Sequence, residues 1–242
     1  MKLLILLIFA AALEAVAAPI ECKGLLVPYE QARMASRAQG VIGTIKREGE
    51  IVKKGDVVME LENDMERLQL EQQRHILALR TFEWKSADEL RKKNVVSQTE
   101  SEEKRINLEV AKVQLAQAEQ LLERRKVVAP FDGVISEKLR EVGEAVDEFT
   151  PVLLLVNLDR IYLEVFLPAA RIREIKEGQT VTVTVPDLPG KVFEGRVDKL
   201  SSVVNAASGE FKVRIVIPNG DRALVSGTYA IGQFNPASQS AD

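Results

Sequence analysis

The spacing of apolar residues changes twice along the chain. Residues 40–61 and 133–155 carry short apolar runs set off by glycines: Val41-Ile42, Ile51-Val52 and Val57-Val58-Met59 in the first, Val134-Ile135, Val146 and Val152-Leu153-Leu154-Leu155 in the second. Such punctuation predicts short strands joined by turns. Between these stretches the breakers vanish, with no glycine between Gly55 and Gly133 and no proline between Pro28 and Pro130, which predicts helix. Beyond residue 158 alternation sets in: Ile161, Leu163, Val165 and Leu167, then Val181, Val183 and Val185, then Phe211, Val213, Ile215 and Ile217. Phe193 and Val197 flank Gly195, and Tyr229 and Ile231 follow near the end. Period two predicts half-buried strands, and residues 168–175, opening on Pro168, predict a short helix over one end of them.

The helical region is expected to start at a cap on Asn63 or Asp64 and to close at Pro130. Asn94-Val95-Val96-Ser97-Gln98-Thr99-Glu100 interrupts it with Asn, two β-branched residues and a new Ser-x-x-Glu capping box, so two antiparallel helices are predicted. In the first, Met65, Leu68, Gln72, His75, Leu79, Phe82 and Ser86 follow alternating three- and four-residue steps, the pattern of a coiled-coil seam. In the second, Leu108, Ala111, Leu115, Ala118 and Leu122 do the same, with Ile106, Val110 and Val113 expected to widen the stripe. Leu70, Leu77 and Trp84 form a separate line of seven-residue steps, read as a surface for a neighbouring hairpin. At 1.5 Å per residue each arm would reach roughly 40–45 Å, too thin for a substrate pocket. The 13 basic and 12 acidic residues between Asp64 and Lys126 are interspersed, the mark of a solvated surface.

The segments flanking this region repeat one another. Gly40-Val41-Ile42-Gly43 corresponds to Gly133-Val134-Ile135-Ser136, and Gly49-Glu50-Ile51-Val52 to Gly143-Glu144-Ala145-Val146. Gly49 and Val58 are nine residues apart, as are Gly143 and Val152. Each copy is too small to bury a core, so the two are expected to pack on each other.

Two such halves resemble the biotinyl/lipoyl-carrier sandwich, in which a modified Lys sits at the junction. Here Glu60-Leu61-Glu62-Asn63-Asp64-Met65 occupies the junction without a Lys, so no covalent cofactor is expected. A lipoyl-like fold split by a helical hairpin resembles the periplasmic adaptor family, the HlyD-type membrane fusion proteins of bacterial efflux pumps and type I secretion systems. Ala129-Pro130-Phe131-Asp132-Gly133-Val134-Ile135 is similar to the family's re-entry into the second half, and Glu177-Gly178-Gln179-Thr180-Val181 and Leu224-Val225-Ser226-Gly227-Thr228 stand where adaptors carry Gly turns. The resemblance implies a mainly β fold with an inserted long α-helical hairpin, a lipoyl-like sandwich and a β-barrel domain. The layout it implies is a signal peptide (1–17), a strand segment joining the barrel (18–38), a first lipoyl half (39–62), the hairpin (63–127), a second half (128–157), the barrel (158–235) and a tail (236–242). With Asp242 just past the barrel, the membrane-proximal domain of many adaptors is expected to be missing or vestigial.

As function the resemblance implies a non-enzymatic adaptor between an inner-membrane transporter, of the resistance-nodulation-division (RND) or ATP-binding-cassette class, and a TolC-type outer-membrane channel, working as a homo-oligomeric ring. Channel-docking relatives often carry Arg-x3-Leu-x6-Ser at the hairpin tip; here Leu90 and Ser97 fit and Ser86 replaces the Arg. Ser86, Leu90, Val95, Val96 and Ser97 are therefore the candidate channel-facing residues, although Leu90 packing within the coil and Ser97 capping the second helix would explain those two as well. A periplasmic binding or regulatory module of the same fold is the alternative.

Composition narrows the field. The 242 residues include one Cys and one His, too few for a zinc finger or disulfide scaffold, and the net charge of −3 gives no basic footprint for nucleic acid. No acidic pair falls into a recognisable catalytic motif, and Met34, Met59 and Met65 are weighed as soft metal ligands and set aside in favour of packing. Lys2, the apolar run to Leu13 and Ala15-Val16-Ala17 read as a cleaved signal peptide, with an uncleaved anchor as the other reading; both imply export, to the periplasm.

Overall fold

The computed structural model describes residues 20–234, in two compact units, one holding the chain up to Tyr29 and from Leu158 onward, the other Glu30–Asn157. The expected signal peptide and C-terminal tail lie outside the described residues. In the segment expected to join the barrel, the first strand, β1 (Ile20–Ala35), contributes its residues through Tyr29 to one unit and the rest to the other.

In the Glu30–Asn157 unit the repeated segments become repeated strands. The first half supplies β2 (Gly40–Ile45), β3 (Ile51–Val52) and β4 (Val57–Leu61). The hairpin helices α1 (Asp64–Lys92) and α2 (Gln98–Arg124) follow, then β5 (Lys126–Val128). The second half supplies β6 (Gly133–Lys138), β7 (Ala145–Val146) and the start of β8 (Pro151–Pro168). Pairing is crosswise: β2 pairs with β7, Val41 opposite Ala145, and β6 pairs with β3, Val134 opposite Ile51. Within each half the outer strands also pair, Ile42 with Leu61 and Ile135 with Leu155, and each ladder shifts register immediately afterwards, at Gly43 and at Ser136. The core draws on both halves, with Ile42, Val52, Met59 and Leu61 packed against Ile135, Val146, Val152, Leu153 and Leu155. Neither half has a core of its own.

Helix α2 ends at Arg124, before the expected stop at Pro130, because Val127 turns into the sandwich core and β5 pairs with β4. At the other end Asn63 occupies the N-cap position of α1 without a side-chain cap; its Nδ2 donates to Glu60 Oε1 (2.5 Å) instead. Ser97 caps α2 as the Ser-x-x-Glu motif predicts, its Oγ accepting from the Glu100 N–H at 3.1 Å.

The seam between α1 and α2 differs from expectation in one helix. On α2, Leu108, Ala111 and Ala118 are buried and Leu115 and Leu122 half-buried, as the spacing implies. On α1 the expected seam faces solvent: Met65 is 74% exposed, Leu68 61%, Leu79 53% and Phe82 70%. An inner stripe of buried and half-buried residues runs instead through Glu66, Leu70, Gln73, Leu77, Arg80, Trp84, Ala87 and Arg91, themselves at alternating four- and three-residue steps, with Ile76, Thr81, Glu83, Ser86 and Asp88 half-buried beside it. Two residues of α-helix turn the side chain by about 200°, so the two stripes lie on opposite sides of α1. Leu70, Leu77 and Trp84 thus belong to the inner seam, and Ile106, Val110 and Val113 stand exposed instead of widening it.

The other unit is a barrel. Its strands are β1, β8, β9 (Thr180–Thr184), β10 (Val192–Asn205), β11 (Glu210–Pro218) and β12 (Tyr229–Phe234), in the order β1-β12-β9-β10-β11-β8. β1 also pairs with β8. Gly24 fits this closure, since a Cβ there would meet the Glu164 carbonyl oxygen at 2.4 Å. Ile161, Leu163, Val165, Leu167, Val181, Val183, Phe211, Val213, Ile215 and Ile217 fill the interior. On β12 the inward set is Ala230, Gly232 and Phe234, so Tyr229, expected to alternate inward with Ile231, is exposed. The helix expected after Pro168 is one 3-10 turn, Ala169–Arg171; Ile175 then enters the barrel core.

Candidate functional site

The hairpin tip is built by a helix stop. Asn94 adopts φ 57°, its N–H donates to Arg91 O (2.9 Å), and the Val95 N–H reaches back to Leu90 O (2.9 Å). This pair of bonds is the Schellman arrangement, which brings the residue after the left-handed one back to the residue at the start of the last turn. Here those residues are Val95 and Leu90. Val95 is 69% exposed, Leu90 is also exposed, Val96 is half-buried and Ser97 exposed. Leu90, Val95, Val96 and Ser97 therefore come together on one small, partly apolar cap. Ser86, half-buried, stands one turn further down α1. The cue for this stop was Asn94, since Asn is one of the few side chains that tolerates the left-handed region.

Away from the tip the hairpin carries an apolar stripe on each outer edge. On α1 it comprises Met65, Leu68, Leu79 and Phe82, with the exposed His75 between them, 3.8 Å from Glu71. On α2 it comprises Ile106, Val110, Val113 and Leu121, and part of it lines a shallow groove with Ala116, Gln117, Gln120 and Arg124. Both stripes sit two residues out of phase with their inner seams, so both point away from the partner helix. At the base, Arg125 on the strand side pairs with Glu66 of α1, and Arg124 Nη2 with Glu148 Oε1 at 2.6 Å.

A family model described as CzcB-like, barrel-sandwich hybrid domain matches residues 30–157, the whole split sandwich with its hairpin. The chain belongs to this family of periplasmic adaptors. A second model, CusB-like, beta-barrel domain, matches residues 160–238 of the CzcB-like chain. The nodulation protein NolF of Rhizobium meliloti is 32% identical to it over 130 residues, 54% of this chain and 35% of NolF. The cation efflux system protein CusB of Escherichia coli is 30% identical over 111 residues, 46% of this chain and 27% of CusB. The chain thus spans well under two thirds of these relatives. Among solved structures, a MacA–MexA chimeric protein containing the Pseudomonas aeruginosa MexA α-hairpin domain superposes with a TM-score of 0.80 at 18% identity, over 91% of this chain and 79% of the chimera. That likeness concerns the fold, including the inserted hairpin.

Other candidate chemistry disperses in the CzcB-like fold. Met34 and Met59 are buried in the sandwich core and Met65 is exposed on α1, so the three methionines do not converge. Cys22 is half-buried, its Sγ 3.4 Å from Gly232 O, and burial pushes its pKa up to about 11, which keeps the thiol protonated at neutral pH. The junction where a carrier would present its Lys is committed to structure, with Asn63 buried and Glu60 taking bonds from Asn63 and from Arg67 (3.3 Å). No described helix is long and apolar enough to cross a membrane.

Proposed function

We propose that the chain is a periplasmic adaptor that couples an inner-membrane transporter to a TolC-type outer-membrane channel by contact and without chemistry of its own. The observation that carries this reading is the hairpin: two helices of 29 and 27 residues inserted between sandwich halves that complete each other, tipped by Leu90, Val95, Val96 and Ser97. The exposed cap serves as the channel contact, Leu90 as an apolar knob and Ser97 as a small residue that allows close helix approach. The two opposed apolar edges of the hairpin favour a ring in which α1 of one copy lies against α2 of the next, a head-to-tail contact that closes by rotation. CusB, a cation efflux system protein by name, directs the proposal to a transporter that exports cations.

The test is transport in cells. Replacing residues 65–123 with a short Gly/Ser linker leaves β5 in place and should keep the sandwich folded while abolishing export; persistent export would sink the reading. Leu90→Asp should cut export and cross-linking to the channel with the helical content unchanged, because it places an unpaired charge in an apolar contact. Normal export in that variant would show that the tip does not dock.

A further inference from the structure

On the outer face of the barrel three cations crowd around a break in one strand. The β10–β11 ladder holds Leu200 opposite Val213 and next holds Val204 opposite Phe211, so Ser201, Ser202 and Val203 face the single residue Lys212. Ser201 locks this bulge, its Oγ donating to Val203 O (2.9 Å) and accepting from the Val203 N–H (3.2 Å). A bulge re-aims the side chains around it, and here it opens a surface cavity of ≈ 230 Å³ lined by Lys199, Leu200, Ser201, Ser202, Lys212 and Arg214.

The charges lining this cavity are not balanced. Lys199 lies directly opposite Arg214 in the ladder, and like charges in that position repel. Lys212 is two residues from Arg214 on the same outward face. Among the described residues one carboxylate pairs with this group: Glu164 Oε1 lies 2.8 Å from Arg214 Nε and 3.3 Å from Lys212 Nζ. The neighbouring Asp198 accepts a hydrogen bond from Tyr162 Oη at 3.1 Å. Tyr162 stacks on Tyr29 at 5.0 Å and carries Arg214 over its ring at 5.5 Å. The exposed Phe166 pairs with Lys212 across β8 and β11. The cavity therefore combines two ammonium groups, a guanidinium and serine hydroxyls beside an exposed aromatic ring.

We propose that this bulge cavity binds a phosphate-type oxyanion, presented by a phospholipid headgroup or as free phosphate. An oxyanion between Lys199, Lys212 and Arg214 replaces their repulsion with charge-assisted hydrogen bonds, and Ser202 adds a hydroxyl donor. Phe166, the cross-strand partner of Lys212, would offer its exposed ring to the glycerol end of a headgroup. This site is independent of the hairpin and of the transport reading.

The experiment compares wild-type protein with Lys199→Gln/Lys212→Gln, which leaves the Arg214–Glu164 pair intact. Inorganic phosphate is titrated calorimetrically at constant ionic strength against chloride, and binding to phosphatidylcholine vesicles with and without phosphatidylglycerol is measured by cosedimentation. The wild type should bind phosphate saturably, and the double variant about tenfold or more weaker, the loss of two charge-assisted contacts, with its melting temperature unchanged or raised. Phosphatidylglycerol-dependent sedimentation that free phosphate competes away and the variant lacks identifies the headgroup as the source. Phosphate binding without vesicle binding identifies free phosphate. If neither ligand binds, or if the double variant binds both as the wild type does, the proposal is overturned. Lys199→Gln alone carries the same test if the double variant loses its cooperative melt.

Discussion

The sandwich and the hairpin are continuous in sequence and use apolar residues in opposite ways. In the sandwich, Ile135, Val152, Leu153 and Leu155 are wholly buried and every long apolar run ends in the shared core. The hairpin buries Leu70, Ala87, Leu108, Ala111 and Ala118 and leaves an equally regular set, Met65, Leu68, Leu79, Phe82, Ile106, Val110 and Val113, in solvent. The first pattern is accounted for by the fold of one chain. The second exceeds what two helices need to hold together, and apolar surface of that regularity is what the proposed contact between neighbouring hairpins would use.

Five substitutions, in four tests, break or sharpen this contrast. Leu155→Ala, in the sandwich core, should lower unfolding free energy by ~2–5 kcal/mol, read from denaturant unfolding. Leu70→Ala in the inner seam should cost about 2 kcal/mol, whereas Leu68→Ala, two residues away on the outer edge, should stay within about 0.5 kcal/mol; equal losses in both would return the seam to the other face. Phe149→Gly should raise stability by about 0.5–1 kcal/mol, because Phe149 holds φ 65° and is 75% exposed while the corresponding position in the first half is Gly55, at φ 91°. The smallest stability change belongs to Phe82→Ser, within about 0.5 kcal/mol, yet it should abolish disulfide ladders formed between copies carrying Leu79→Cys and Val110→Cys. Undiminished ladders in that background would disconnect the outer edge from assembly.

The contrast also explains what could be read from the residues in advance. The sandwich was legible because its signal is discrete: Gly49 and Gly143 anchor equal spacings, and each turn permits few conformations. The second helix was legible because Ala111 and Ala118 mark the close-packed side. The first helix carries two apolar stripes of the same period, and periodicity alone contains nothing to rank Leu68 and Phe82 against Leu70 and Trp84. Burial ranks them, and burial belongs to the pair of helices. At the tip, Ser97 was legible from its capping box. The Schellman stop that bonds the Val95 N–H to Leu90 O depends on the left-handed Asn94, which a reading for helix breakers registers only as an interruption. The bulge at Ser201–Val203 left no trace in the alternation, because Lys199-Leu200-Ser201-Ser202 continues a strand pattern until the partner strand is known.

The ion pair between Glu66 and Arg125 closes the hairpin at its root and bears on how such a chain can vary. A flexible insertion of this size would tax the sandwich with loop-closure entropy that grows with length. A helical hairpin returns its two ends to the same place however long it is, so the sandwich experiences the whole insertion as a tight connection. Adding seven residues to each arm would keep the seam and both edges in phase and extend the reach by about 10 Å, with β4 and β5 unmoved. Arm length is thereby free to change while the sandwich stays as it is.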